Sequence, residues 1–64
     1  MKRNVKLKAA IWKTGKPQKR VAMEAAVNQT YLSLALNGRF VLNGQEKERI
    51  ARVLNKSPEE LFDE

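Results

Sequence analysis

Gln29 and Thr30 are the side chains best suited to chemistry with a partner, and that chemistry is hydrogen bonding. Both follow directly on Asn28, a helix-capping residue, so they project from the first turn of a helix. A glutamine amide can bond adenine N6 and N7 together, while a threonine can bond a base edge or touch a thymine methyl. The same two residues also suit an ordinary polar helix start. Residues 28–39 read Asn-Gln-Thr-Tyr-Leu-Ser-Leu-Ala-Leu-Asn-Gly-Arg: a polar tip, apolar residues at helical spacing, and a stop at Asn37-Gly38.

Catalytic chemistry has little to work with. There is no histidine and no cysteine, which removes the commonest general base, the commonest metal ligand and any thiolate. Carboxylates remain, but six of the seven cluster near helix starts or at the terminus, where capping and solvation account for them. No glycine-rich phosphate loop is present. The expectation is a non-enzyme with no cofactor, no metal and no small-molecule ligand.

The 64 residues allow one domain, 1–64. A chain this short buries only about 60% of the surface its unfolded form exposes, so its core must be small. No apolar run approaches the roughly 20 residues of a membrane span. The basic start, Met-Lys-Arg-Asn-Val-Lys, lacks the apolar stretch of a signal peptide. These features point to a soluble, cytoplasmic protein, nucleoid-associated when bound to DNA. Charge is unevenly spread. Residues 1–39 hold nine Lys or Arg against one acid, Glu24, for a net +8, and residues 40–64 hold four against six, for a net −2. A basic pole opposite a mildly acidic one suits approach to a polyanion with a preferred face.

Five short helices and no strand can position these groups. Asn4 caps the first, with Leu7, Ala10, Ile11 and Thr14 on one face; Gly15 ends it and Pro17 prevents its continuation. Residues 18–25 form the second, with Val21, Ala22 and Ala25 inward, and Val27 in the turn. Asn28 caps the third, which buries Leu32, Ala35 and Leu36 before Gly38 supplies a left-handed residue. Phe40-Val41-Leu42 is an apolar link. Asn43 and Glu46 have capping-box spacing before a fourth helix with a stripe of Ile50, Val53 and Leu54. Ser57-Pro58-Glu59-Glu60 is the clearest helix start, after which Leu61 and Phe62 fold back onto the core. Trp12 is expected to cover the core beside the first stripe, and Tyr31 to lie on the exposed side of the third helix. Two short helices with a tight connection, as at 18–37, are a docking device for DNA: the second lies in the major groove while the first braces the backbone.

The ordered residues Gln-x-x-Val-Ala-x-x-Ala-x-Val-Asn-Gln-Thr-Tyr-Leu-Ser from Gln18, then Asn37-Gly38-Arg39, resemble the lambda-repressor-like helix-turn-helix family of phage and bacterial regulators. Leu42-Asn43, Ile50-Ala51-Arg52-Val53-Leu54 and Ser57-Pro58-Glu59-Glu60-Leu61 also have counterparts there, so the resemblance runs from Leu7 to Leu61. It implies an all-α, compact five-helix lambda-repressor-like DNA-binding domain with the helix-turn-helix at helices 2 and 3. Recognition helix 29–36 would lie in the major groove of a double-stranded DNA operator, in a repressor-type transcriptional regulator. Gln29, Thr30 and Leu34 would face bases. Gln18, Lys19, Asn28, Tyr31, Asn37, Arg39 and Asn43 would meet the DNA backbone, which positions a domain while base contacts specify the sequence.

Four departures from the family pattern stand out. Ala26 replaces a common turn glycine and is strained by roughly 1 kcal/mol or more if the turn needs a positive φ. Leu34 stands where Arg, Lys or Gln is frequent and would pack on thymine methyls or weaken base reading. Lys16 replaces an apolar residue, making that corner wetter. Ile11 and Leu36 stand where many relatives carry Arg and Glu, which suggests that an ion pair has become an apolar contact; replacing both partners of a buried pair is often neutral, whereas losing one is costly.

Two rivals stay open. One is a protein-interaction module on the same scaffold, such as an antitoxin or phage accessory factor, favoured if Leu34 and Leu36 are both exposed. The other, association of the basic first helix with a membrane surface, conflicts with the need for Leu7 and Ile11 in so small a core. The expected assembly is a monomer or a weak homodimer through Phe62, Leu61 and Phe40 in solution, with dimerisation completed on DNA.

Overall fold

Five helices and no strand make up the described residues, 3–62, of the computed structural model: α1 (Val5–Lys13), α2 (Gln18–Glu24), α3 (Gln29–Leu36), α4 (Gly44–Val53) and α5 (Pro58–Leu61). The expected starts are built by local chemistry. The Leu7 N–H donates to Asn4 Oδ1 (2.9 Å) at α1, and the Thr30 N–H donates to Asn28 Oδ1 (2.8 Å) at α3. At α4 the capping box closes, Glu46 N–H to Asn43 Oδ1 at 2.8 Å and Asn43 N–H to Glu46 Oε1 at 3.0 Å. At α5 the Ser57 N–H donates to the Glu60 carboxylate (3.0 Å), and this bond holds the Glu60 carboxyl below its ordinary pKa. No side chain caps α2: Pro17, extended, occupies its cap position, so its seven residues depend on packing for their helicity.

The ends share one solution. After α3, the Arg39 N–H reaches Leu34 O (2.8 Å) and the Gly38 N–H reaches Ala35 O (3.1 Å), with Gly38 at φ 74. Both bonds recur after α4, where Asn55 takes φ 59, and after α2, where Ala26 takes φ 56. This six-to-one and five-to-two pairing satisfies carbonyls that a helix otherwise leaves orphaned, and it requires a left-handed residue that glycine or asparagine supplies most cheaply. Ala26 is therefore the strained member of the set, as expected if the turn needed a positive φ.

Each helix contributes to one apolar cluster: Leu7, Ala10 and Ile11 from α1, Val21 and Ala22 from α2, Leu32 and Leu36 from α3, Ile50 and Ala51 from α4, and Leu61 from α5. Ala25, Val27, Leu42 and Leu54 close it from the connections. No buried polar or charged side chain is found among the described residues. Ile11 and Leu36 both belong to this cluster, 6% and 8% exposed.

Several expectations need correction. Thr14 is exposed rather than inward; its hydroxyl donates to Ile11 O (2.6 Å) and accepts from the Lys16 N–H (3.1 Å), a hydrogen-bonding role at the end of the helix. Trp12 is 82% exposed and covers nothing. It lies about 100° around the helix from Ile11, and Val5, seven residues earlier on the same face, is exposed as well. Ala35 and Val53 are only partly buried, while Ala51 takes the inward place on α4. Leu61, offered as part of a dimer contact, is 1% exposed and belongs to the chain's own core. Phe62 packs against that core with the Lys47 ammonium 5.5 Å from its ring centroid.

Two polar side chains fasten distant helix ends. Asn4 caps α1 through Oδ1, donates its backbone N–H to Leu36 O at the end of α3 (2.9 Å), and donates Nδ2 to Leu61 O at the end of α5 (2.8 Å). Arg49 Nε, from α4, donates to Ala25 O at the end of α2 (2.8 Å).

Replacing Ala26 with glycine relieves left-handed strain and slightly enlarges the unfolded ensemble. The net gain expected is about 0.5–1 kcal/mol, or a rise in Tm of roughly 2–8 °C in a thermal melt. A fall in Tm would show that the turn does not strain Ala26. Asn4→Ala should cost about 2–4 kcal/mol in urea unfolding, a cap plus a stranded carbonyl. Asn28→Ala, which removes a cap alone, should cost about 1 kcal/mol; equal losses for the two variants would leave the Asn4 clasp without energetic weight.

Candidate functional site

α3 carries its polar residues where the sequence puts them. Gln29 and Thr30 are its first two residues and both are exposed, as are Asn28 and Tyr31. Thr30, Leu34 and Asn37 recur at i, i+4 and i+7, so they share one side of the helix. An open cleft of about 820 Å³ runs along the later part of that side, lined by Arg3, Leu34, Asn37 and Arg39. Three of these four are expected site residues; Arg3 is not.

The cleft is held from both ends. Arg39 is tied to α3 through its N–H to Leu34 O, and Arg3 is placed by the neighbouring Asn4, whose N–H grips Leu36 O. Asn37 donates one Nδ2 hydrogen to Ser33 O (3.1 Å), which fixes the plane of its amide. Phe40, expected at a dimer contact, stacks instead on Tyr31, with centroids 4.8 Å apart and planes at 15°. That stack pins the segment after Arg39 against α3 and leaves the edge of both rings at the surface. Leu34 is half-buried and Leu36 fully so.

The other expected residues lie outside the cleft lining. Gln18, half-buried, opens α2 with exposed Lys19 beside it. Asn43 is exposed but its Oδ1 is committed to the α4 cap, as Asn28 Oδ1 is to the α3 cap. In each of these two the acceptor is used and the Nδ2 donors face outward chemistry; donors are what an anionic partner requires.

Glu24, the one acid in the first 39 residues, is clamped by Lys16 Nζ and Arg20 Nε, each at 2.8 Å. The bond from Lys16, then that from Arg20, lowers the Glu24 carboxyl pKa from its ordinary 4.5. Lys16, standing where an apolar residue was expected to be usual, thus makes the wet corner anticipated for it. The pairs are solvent-exposed and contribute little stability, but they offset the single negative charge of the basic half. Among the described residues, no three acidic side chains gather to hold a metal, and no helix is long and apolar enough to cross a membrane.

Arg3 is the cleft-lining residue that sequence reasoning did not name. Nothing in local spacing ties Arg3 to Leu34, since a backbone bond over more than thirty residues, Asn4 to Leu36, brings them together. Comparison with protein-family models, curated proteins and solved structures finds no match for this chain.

With its folded-state pKa depressed, Glu24 contributes stability that is complete above pH 4.5 and is lost as pH falls through the lower folded value. Carboxyl-detected NMR should place the Glu24 midpoint below 4.5, and Lys16→Met should raise it toward that ordinary value. A midpoint indifferent to Lys16 would show that the clamp does not persist in solution.

Proposed function

We propose that this chain is a sequence-specific double-stranded DNA-binding transcriptional regulator of the lambda-repressor-like helix-turn-helix type, acting by occupying an operator without chemistry. One observation carries the reading. α2 and α3, joined through a turn with a left-handed residue at Ala26, leave the polar first turn of α3 exposed at Gln29 and Thr30. In the major groove such a helix start meets base edges. Gln29 pairs with an adenine edge, Thr30 meets a base or a thymine methyl, and Leu34 makes an apolar contact one turn further along. Gln18, Lys19, Asn28, Tyr31, Asn37, Arg39 and Asn43 bond or attract phosphates. The binding-site spacing expected for a dimer on DNA is about one helical turn between half-sites; Phe40 and Phe62 remain as surface candidates for such a contact, and Leu61 does not.

A second reading is a protein-interaction module on the same scaffold, such as an antitoxin or phage accessory factor. Its original support, two exposed leucines, is absent because Leu36 is buried and Leu34 half-buried. What favours it now is the exposed Trp12 on α1. The readings differ in salt dependence, since DNA binding weakens steeply as counterions are reacquired.

The test is selection of duplexes from genomic fragments, followed by titration. Gln29→Ala should relax preference at one base position at a cost of about 1–3 kcal/mol. Lys19→Ala should weaken all duplexes alike and reduce the salt slope by about one. Equal loss on every sequence for both variants would refute base reading by Gln29.

A further inference from the structure

The outer face of α1 carries a second apolar stripe. At about 100° per residue, Val5, Ala9 and Trp12 fall within about 60° of one another. They lie on the side of the helix away from Leu7, Ala10 and Ile11, which the core takes. All three are exposed, Val5 by 71% and Trp12 by 82%. Their spacing, i, i+4 and i+7, is that of successive d, a and d positions of a heptad. In the same frame Lys8 falls at g and Lys13 at e, one on each flank of the stripe, and both are exposed. Lys6 is the other e position, and α1 carries no acid at all.

A broad apolar face suits a lipid surface, whereas a stripe confined to a and d is the narrower seam that packs against one other helix. The flanking charges then select the helix. A second copy of this chain does not fit: parallel pairing would set Lys8 against Lys13, and antiparallel pairing would set each against its own counterpart. We propose that the stripe of Val5, Ala9 and Trp12 docks an acidic amphipathic helix of a partner protein, apolar at its a and d positions and carrying Asp or Glu at e and g. Trp12 is the anchor, since large aromatic side chains dominate interface energy. Ala9, small, leaves room beside it for a bulky side chain of the partner. The nine residues of α1 make a short seam, so the contact is weak enough to be reversible and is screened by salt. None of these three residues is among those assigned to DNA, and the surface does not depend on the DNA-binding reading.

Trp12 is the one tryptophan of the chain, so its emission reports this face alone. The probe is a synthetic helix of about three heptads with Leu at a and d and Glu at e and g, which its own charges keep from self-pairing. One control carries Lys at e and g; another keeps Glu there and has Gln at a and d. With the full chain, the first peptide should bind saturably and shift Trp12 emission to the blue, and neither control should. By anisotropy of the dye-labelled first peptide, Trp12→Ala should weaken binding by about 10-fold or more. Lys8→Glu together with Lys13→Glu should reverse the preference toward the Lys peptide. Circular dichroism confirms that each variant is folded, and the wild-type comparison of peptides needs no variant. Absence of binding, equal binding of either control, or a preference that survives charge reversal overturns the proposal. A blue shift with phosphatidylserine vesicles and none with the first peptide overturns it in favour of a lipid surface. Trp12→Ala should leave duplex selection unchanged; a changed selection would assign the stripe to DNA instead.

Discussion

Asn4 is the residue on which the arrangement of helices depends. One side chain and its own backbone N–H meet three elements: the first turn of α1, the last carbonyl of α3 and the last carbonyl of α5. A core of this size is apolar throughout, with no buried polar side chain among the described residues. Apolar contact is non-directional, so it can collapse the helices without choosing their relative placement. The directional choices fall to hydrogen bonds at helix ends, where unpaired carbonyls are available. Asn4 and Arg49 between them serve the ends of α2, α3 and α5. The end of α3 is the one beside the cleft, whose lining includes Arg3, Leu34, Asn37 and Arg39.

The basic half of the molecule is shaped by the treatment of one carboxylate. Standing alone, Glu24, the last residue of α2, would put an unpaired negative charge in the basic half. Held by Lys16 and Arg20, it becomes part of a local cluster with a net positive charge, and it fixes the ends of two long cationic side chains at a cost in rotamer entropy. Lys16 therefore makes its interaction at the surface, where it serves field rather than stability.

Local chemistry was legible in the sequence and long-range chemistry was not. The caps at Asn4, Asn28 and Asn43 and the box at Ser57 and Glu60 are determined within four residues, and the helices begin there. The left-handed residue before Val27 could be stated as a condition on Ala26 because a backbone turn imposes it locally. Exposure of Gln29 and Thr30 followed from their positions at a helix start. By contrast, Thr14 and Trp12 were misplaced because periodicity gives the faces of a helix but not how much of each face is covered. The stack of Phe40 on Tyr31 was not foreseen because Tyr31 lies on an element whose orientation the link does not reveal. Arg3 entered the site through a contact made by its neighbour, which no spacing rule anticipates.

The bond from Asn4 to the Leu61 carbonyl joins residues 57 apart in a 64-residue chain. Closing so long a loop is entropically expensive and contributes to a slow step only after shorter contacts have formed. During synthesis α1 to α4 can gather first, yet this fastening waits until Leu61 has left the ribosome. Once it is made, the beginning of α1 and the end of α5 lie side by side against the end of α3. The first and last described residues, Arg3 and Phe62, therefore lie in one region of the surface, beside the cleft that Arg3 lines, although nearly the whole chain separates them.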